Sequence, residues 1–333
     1  MKAFIVLNPA AGKNAEAPIG ESIGRYFASF QIECEIYETL KEDKPGDIVR
    51  ARLKNPIDMV VAAGGDGTVS AVIDGLAGSS VPLGIIPAGT ANLIARELNV
   101  PLEMKDAIAL IASEHKFRKI DAMRIGQRLY VLNISLGISA SVISGTTPKN
   151  KSRFGRIAYL PTAILKIFTF RRRYLSVAVD GKALNYRAIE VEILNCGILG
   201  NVLYPMGPDI RIDDGHLDIW IMSLETLLDY PRYLLAMIIG RPPKHLSHFI
   251  NAEKSVSIKS IVPLPVQADG DIIGTTPIEV EVLSGALTVL VPEKPESLPN
   301  QDLDRNSVKS QYLYSFAKTG RAKMRGRVEG YVP

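Results

Sequence analysis

The sequence predicts an α/β N-terminal domain built on a layered, mainly parallel sheet, followed by a β-sandwich C-terminal domain. Three observations carry that expectation. Strand and helix signals alternate over the first 120 residues, the pattern of a parallel sheet covered by helices. After about Arg124 the segments become short, β-rich and separated by turn signals such as Asp180-Gly181 and Ser284-Gly285, a texture of hairpins. Glycine-containing turns at Gly12, Gly64–Gly67 and Gly89 each follow a strand pattern. They should gather at one edge of the sheet, outside the carboxyl ends of the strands.

The elements follow in order. Ala3–Leu7 is a continuous apolar strand ending in the turn Asn8-Pro9-Ala10-Ala11-Gly12-Lys13, and a helix pattern covers Ile19 to Phe30. A strand over Gln31–Tyr37 comes next. Ile57–Thr68 reads IDMVVAAGGDGT, a buried strand running into a turn. Val69, Val72, Ile73 and Leu76 then recur at helical spacing, an amphipathic helix that Gly78 ends. Val81–Pro87 is another strand, and Ala91 to Leu98 a helix. Helical stretches also fall at Arg156–Phe170 and Leu224–Ile239. The domains are set at 1–122 and 123–292. Residues 293–333 form a C-terminal segment that packs back on the first domain or trails as a poorly ordered basic tail.

Composition narrows the classes. At 333 residues and 47% hydrophobic content the chain can bury a large core. Net charge is +4, and residues 301–333 hold seven Lys or Arg against three Asp or Glu, a net +4. Lys149–Arg173 carries no acidic residue and presents Ile157, Leu160, Ile164, Leu165 and Phe168 at helical spacing. A cationic helix with an apolar face suits an anionic membrane surface. The chain shows no recognisable nucleic-acid reading module, so nucleic acid is not the expected partner. Cys34 and Cys196 stand far apart and build no disulfide framework. Ala3–Leu7 is too short for a signal-peptide core, and the apolar run Tyr233–Ile239 too short to span a bilayer. The expected place is the cytoplasm, peripheral to the inner membrane surface.

Chemistry concentrates in a few places. In Gly64-Gly65-Asp66-Gly67-Thr68 the glycines allow a sharp turn and close ligand approach. The helix behind points its positive end at the same spot, favourable for phosphate. Asp66 suits a metal or a hydroxyl. In the first turn Pro9 stiffens the chain, Gly12 gives backbone access and Lys13 can neutralise a phosphate. Thr68, Ser70 and Thr90 read as helix-start hydroxyls and as caps. Asp213-Asp214-Gly215-His216-Leu217-Asp218 offers carboxylate and carbonyl oxygens of the kind Mg²⁺ prefers; the plain alternative is an Asp-Gly turn. His245 and His248 have metal-like spacing but no accompanying carboxylate or cysteine cluster.

Taken together, the Asn8–Lys13 turn, GGDGT about fifty residues on, and Pro87-Ala88-Gly89-Thr90-Ala91-Asn92 with Ala95-Arg96 resemble the diacylglycerol kinase catalytic domain family. Lys151–Tyr159, Asp213–Asp218 and Asp269-Gly270-Asp271 extend the resemblance to that family's bacterial lipid kinases, relatives of sphingosine kinase, over roughly Met1 to Pro292. The resemblance implies ATP and Mg²⁺ as cofactors, a membrane lipid as acceptor and an active site between the domains; an oligomer is left open. It assigns nucleotide binding to Asn8, Gly12, Lys13, Thr39, Gly64, Gly65, Asp66, Gly67, Thr68 and Thr90. A structural magnesium falls on the Asp214 carboxylate and the carbonyls of Arg211 and His216. Asp121 matches a family aspartate with a hinge or supporting role.

The expected catalytic set is Asp271, Asp66 and Lys13, with Asp271 as the base that takes the acceptor proton. The family has a glutamate at the position of Asp271, and commonly an acidic residue where this chain has Leu93. The implied activity is phosphoryl transfer from ATP to the hydroxyl of diacylglycerol or a related membrane lipid. Two alternatives stand beside it: a catalytically impaired nucleotide- or lipid-binding homologue, and an NAD kinase, which shares GGDGT.

Overall fold

The computed structural model describes residues 1–10, 19–113, 115–138, 140, 172–198, 209–224, 229, 232 and 246–293. All of them fall in one unit, Met1–Glu293. The helical stretches expected at Arg156–Phe170 and Leu224–Ile239 lie almost wholly outside the described residues, as do Gly12, Lys13, His245 and the C-terminal segment.

The first half reads β1 (Lys2–Leu7), α1 (Ile19–Ser29), β2 (Glu33–Glu38), α2 (Pro45–Arg52), β3 (Met59–Gly64), α3 (Asp66–Gly75), β4 (Leu83–Pro87), α4 (Leu93–Glu97), α5 (Met104–Ala112) and β5 (His115–Ile125). The second half reads β6 (Arg128–Tyr130), β7 (Asn133–Gly137), β8 (Arg173–Val179), β9 (Lys182–Ala188), β10 (Glu190–Leu194), β11 (Leu217–Met222), β12 (Ser247–Ala252), β13 (Ser255–Ser260), β14 (Pro265–Ala268), β15 (Asp271–Thr275) and β16 (Ile278–Pro292).

Strands β2-β1-β3-β4 pair in parallel, as the strand-helix alternation predicts. Residues 59–64 of β3 are buried without exception, the signature of a strand covered on both faces. Val69, Val72, Ile73 and Leu76 seat α3 on one core cluster with Val60 and Ile85. Phe27, Ile23, Ile108 and Ile111 fill the opposite face. Each such aliphatic side chain contributes roughly 1.5–3 kcal/mol by leaving water. Helices α2 and α5, which the sequence reading passed over, complete the two faces. Arg50 of α2 meets Asp74 of α3 at 3.0 Å and ties these helices together.

The second part is an antiparallel sandwich. One sheet runs β12-β11-β10-β7-β14-β15; β13, β8 and β9 continue the other. Ile134, Val191, Ile219, Leu175, Val256 and Val280 form the core between them.

One expectation fails instructively. Ser284-Gly285 reads as a turn but sits inside the single fifteen-residue strand β16, where the register shifts between Leu283 and Leu287. Gly285 has φ +57, and its N–H is held by Asp121 Oδ1 at 2.7 Å. The residue pair makes a bulge because a partner carboxylate absorbs the extra N–H. Beyond the bulge, Val289 pairs with Leu83 of β4 in parallel. The end of β16 therefore belongs to the first sheet, and one strand links the two halves. Strand β5 likewise runs through residue 122.

Candidate active site

Sheet order puts the carboxyl ends of β1, β2, β3 and β4 along one edge. Asn8, Thr39, Gly64–Thr68 and Thr90 all follow those ends. Asn8 closes β1: its N–H bonds Ala63 O at 2.9 Å, its Oδ1 accepts the Ala10 N–H at 3.0 Å, and its Nδ2 reaches Thr68 Oγ1 at 3.3 Å. The Thr39 N–H bonds Leu7 O at 2.8 Å.

The glycines do different jobs. A Cβ on Gly64 would lie 2.5 Å from Thr68 Oγ1, and one on Gly89 would lie 2.5 Å from Gly65 Cα. These glycines let the two strand-end loops touch backbone to backbone, with the Ala88 N–H on Gly64 O at 2.9 Å. Around Gly67 nothing lies within 4 Å of a would-be Cβ, and the residue is exposed. Gly67 is the residue that leaves room for a ligand. Gly65 caps α3 in extended conformation without a side-chain bond, so the first N–H groups of this ten-residue helix face that opening.

The hydroxyl caps expected at Thr68 and Thr90 are absent. Thr68 is buried under Asn8, and Thr90 is exposed two residues before the cap of α4. Asn92 takes that cap in left-handed conformation (φ 48), because its amide grips Gly89 N and O at 2.9 and 3.0 Å. Asp66 Oδ1 accepts the Ile94 N–H at 3.2 Å, so this carboxylate bridges the two loops.

The Asp269-Gly270-Asp271 hairpin approaches the same helix. Asp269 and Gly270 have φ +46 and +94, a two-residue turn between β14 and β15. The Asp269 carboxylate accepts N–H groups from Val131 (3.0 Å), Leu132 (2.9 Å) and Asn133 (3.2 Å). Burial pushes this carboxyl above its usual value, and those N–H donors pull the other way. Ser70, one helical turn from Asp66, places its buried hydroxyl near Asp269 just outside hydrogen-bond geometry. Gln267 holds the turn from beneath: its Oε1 accepts the Gly270 N–H at 3.1 Å and its Nε2 meets Ser135 Oγ at 3.3 Å. Asp271 opens β15 and is exposed. Burial drives the Tyr130 phenol above its usual value, and the negative charges of Asp74, Asp269 and Asp271 push in the same direction.

Asp121, 2% exposed, accepts the Gly215 N–H and the Gly285 N–H, each at 2.7 Å. It joins the Asp213–Gly215 loop to the β16 bulge. In that loop Asp213 pairs with Arg118 at 2.6 Å. Asp214 Oδ1 lies 3.2 Å from His216 Nδ1, and His216 Nε2 lies 3.9 Å from Asp218. Burial raises the Asp214 carboxyl and lifts Asp218 to about 6. Among the described residues no three His, Cys, Asp or Glu side chains come together as a metal site. His248 lies on β12 against Tyr186, with ring centroids 5.8 Å apart. Leu93 opens α4 and packs on the core.

Residues that the sequence did not single out also shape the site. Glu97 accepts the Ile198 N–H at 2.7 Å; burial raises it, against that bond. Asp74 takes the Leu129 N–H at 2.9 Å. These contacts span 101 and 55 residues, beyond any local signal.

Residues 2–125 match the diacylglycerol kinase catalytic domain family, and residues 133–291 the YegS C-terminal NAD kinase beta sandwich-like domain. The chain belongs to the diacylglycerol kinase catalytic-domain family. Among relatives of this family member, a diacylglycerol kinase of Staphylococcus haemolyticus (strain JCSC1435) is 26% identical, over 87% of this chain and 88% of its own. One from Staphylococcus aureus (strain bovine RF122 / ET3-1) is 27% identical, over 92% and 98%. Two crystal structures from Bacillus anthracis str. Sterne share the fold, with TM-scores of 0.72 and 0.65 at 22% and 21% identity. They cover 88% of this chain and 95% and 97% of their own, and the second is described as a diacylglycerol kinase. No described helix is long and apolar enough to cross a membrane.

Proposed function

We propose that this diacylglycerol kinase family member is an ATP-dependent lipid kinase, moving the γ-phosphoryl group of ATP to the hydroxyl of diacylglycerol or a related membrane lipid. The observation that carries the reading is the position of α3 between the two motifs. Thr68, at its start, lies under Asn8, and Ser70, half a turn later, lies at Asp269. An α-helix rises ~1.5 Å per residue. A phosphate at the Gly67 opening and a hydroxyl at the hairpin are therefore brought within reach of each other.

Each group has a part. The N–H groups at the start of α3 receive phosphate oxygens, and Lys13 adds positive charge. Asp66, whose Oδ1 is held by the Ile94 N–H, has a second oxygen that would hold the nucleotide's metal. Asp271 is exposed and accepts the acceptor's proton as the oxygen attacks. Being an aspartate, it reaches about one methylene less far than glutamate would. The Asp269-Gly270 turn, held by the N–H groups of Val131, Leu132 and Asn133, sets where that shorter carboxylate stands.

A magnesium ion fits the Asp213–Asp218 loop. Asp218 is 1% exposed with Oδ1 lacking a hydrogen-bond partner, and its carboxylate and the half-buried one of Asp214 flank one imidazole there. Hard oxygen donors suit Mg²⁺. Asp214 and the carbonyls of Arg211 and His216 would hold it, and the bound cation would neutralise the loop's negative charge.

The test is incubation with labelled ATP, Mg²⁺ and mixed micelles of diacylglycerol, phosphatidylglycerol, sphingosine and ceramide, with NAD in parallel. Label in a lipid is expected, and Asp271→Asn should abolish it. Nucleotide binding without label in any lipid would sink the reading. Label in NAD would replace it with an NAD kinase.

A further inference from the structure

At one end of the sandwich the ends of β8, β9, β13 and β16 come into register. Arg173 faces Ala188, Ser260 faces Leu175, and Ile258 faces Ile278. The β13–β14 loop leaves this end beside Tyr174. It carries Ile261 at 83% exposure and Val262 at 52%, the former the most exposed large hydrophobic residue described. Tyr174 beside it is 56% exposed, with the Arg187 guanidinium stacked over its ring at 4.8 Å.

The loop is held in shape. Ser260 Oγ donates to Val262 O at 2.7 Å, Thr276 Oγ1 bonds Ser260 Oγ, and Leu264 N–H donates to Thr276 Oγ1 at 2.9 Å. Leu264, 5% exposed, anchors it to the core. Two aliphatic side chains are thus fixed outward against their own preference for burial.

Cations surround them. Lys259 stands opposite Ser176 on the outer face. Arg187 crosses from Tyr174, and Arg172 and Arg173 lead into β8. The carboxylates at hand are Glu279, opposite Ser257, and Glu190, buried past the end of β9. An outward apolar tip, a tyrosine and a ring of basic residues is the combination that enters a bilayer interface bearing anionic lipid.

We propose that the Ile261–Val262 tip is a membrane-docking surface that inserts between anionic lipid headgroups, with Tyr174, Arg187 and Lys259 at headgroup level. The inference deepens the lipid-kinase reading by naming the face that meets the acceptor's bilayer. Thr275, which pairs with Pro265 just after the tip, ends the five-residue strand that Asp271 begins. At ~3.3 Å per residue, the four steps from Asp271 to Thr275 put the docked face roughly 13 Å along the strand from Asp271.

The test is flotation of the full chain with vesicles of phosphatidylcholine alone and with phosphatidylglycerol added to three parts in ten. Binding to the anionic vesicles is expected, weakened at least ~10-fold by Ile261→Ser/Val262→Ser and several-fold by Arg187→Gln/Lys259→Gln. Equal binding by wild type and the serine variant would overturn the proposal. So would a change of oligomeric state with vesicle binding intact, which would assign the tip to a second copy. Because flotation needs no turnover, failure of the kinase reading leaves this result readable. Where turnover exists, the serine variant should lose activity on vesicles and keep it on detergent-dispersed diacylglycerol. Equal loss on both would also overturn the proposal.

Discussion

Asp269 Oδ1 accepts the Leu132 N–H at 2.9 Å, pinning the β14–β15 turn to a segment 137 residues earlier. Asp269→Ala would strand three N–H groups at once. A loss of about 2–4 kcal/mol is expected by urea denaturation, together with a fall in kcat of ~100-fold or more, because Asp271 would lose its fixed position.

Gln267 supplies a milder version of the same disturbance. Gln267→Met keeps the volume and removes the acceptor for Gly270 N–H. The expected result is a ~10-fold lower kcat with KM for ATP unchanged. A KM change alone would show that the residue serves the nucleotide side.

At Asp271 the prediction concerns reach. Asp271→Glu lengthens the side chain at an exposed position next to the open Gly270. Kinetics on mixed micelles should show kcat rising severalfold, with thermal stability unaltered. A fall below wild type would mean that the hairpin is set for the shorter acid.

Gly67→Ala separates folding from binding. A methyl group there meets nothing within 4 Å, and alanine favours helix over glycine by about 0.5–1 kcal/mol. Melting temperature should hold or rise. ATP affinity measured by calorimetry should drop ~10-fold or more as the methyl group fills the opening. Gly89→Ala should instead destabilise, since its Cβ would collide with Gly65 Cα.

Acid stability should depend on Asp180. Its carboxylate takes N–H bonds from Glu253, Lys254 and Ser255 at 2.8–3.0 Å, and those bonds hold its pKa below the usual 3.8. A depressed acid stabilises the fold above the unfolded pKa and loses that contribution as pH falls through the folded one. Asp180→Asn tolerates the φ of +49. The variant should show a shallower decline in melting temperature below about pH 4 than wild type.

Much of the first half was legible because its determinants are local. GGDGT, the apolar strands and the 3.6-residue spacing after Thr68 each lie within a dozen residues of one another. The Asp180-Gly181 turn was legible for the same reason. What escaped was long-range: Ser284-Gly285 reads as a turn unless the distant Asp121 is known to hold Gly285. Asn92 rather than Thr90 caps α4, because the side chain that grips Gly89 could not be told from spacing. Glu97, Asp74 and Gln267 look like ordinary polar residues until the partner segments arrive.

The position of β16 has a consequence for synthesis. Its last residues lie beside β4, so the sheet begun by the first residues of the chain stays incomplete until about residue 292 has left the ribosome. Until then β4 offers a bare edge in a hydrophobic sheet, an invitation to pair with another nascent chain. A protein cut before Ile278 should therefore collect as aggregate rather than as a free N-terminal half. The order of manufacture, and not only the finished shape, makes the two halves one object.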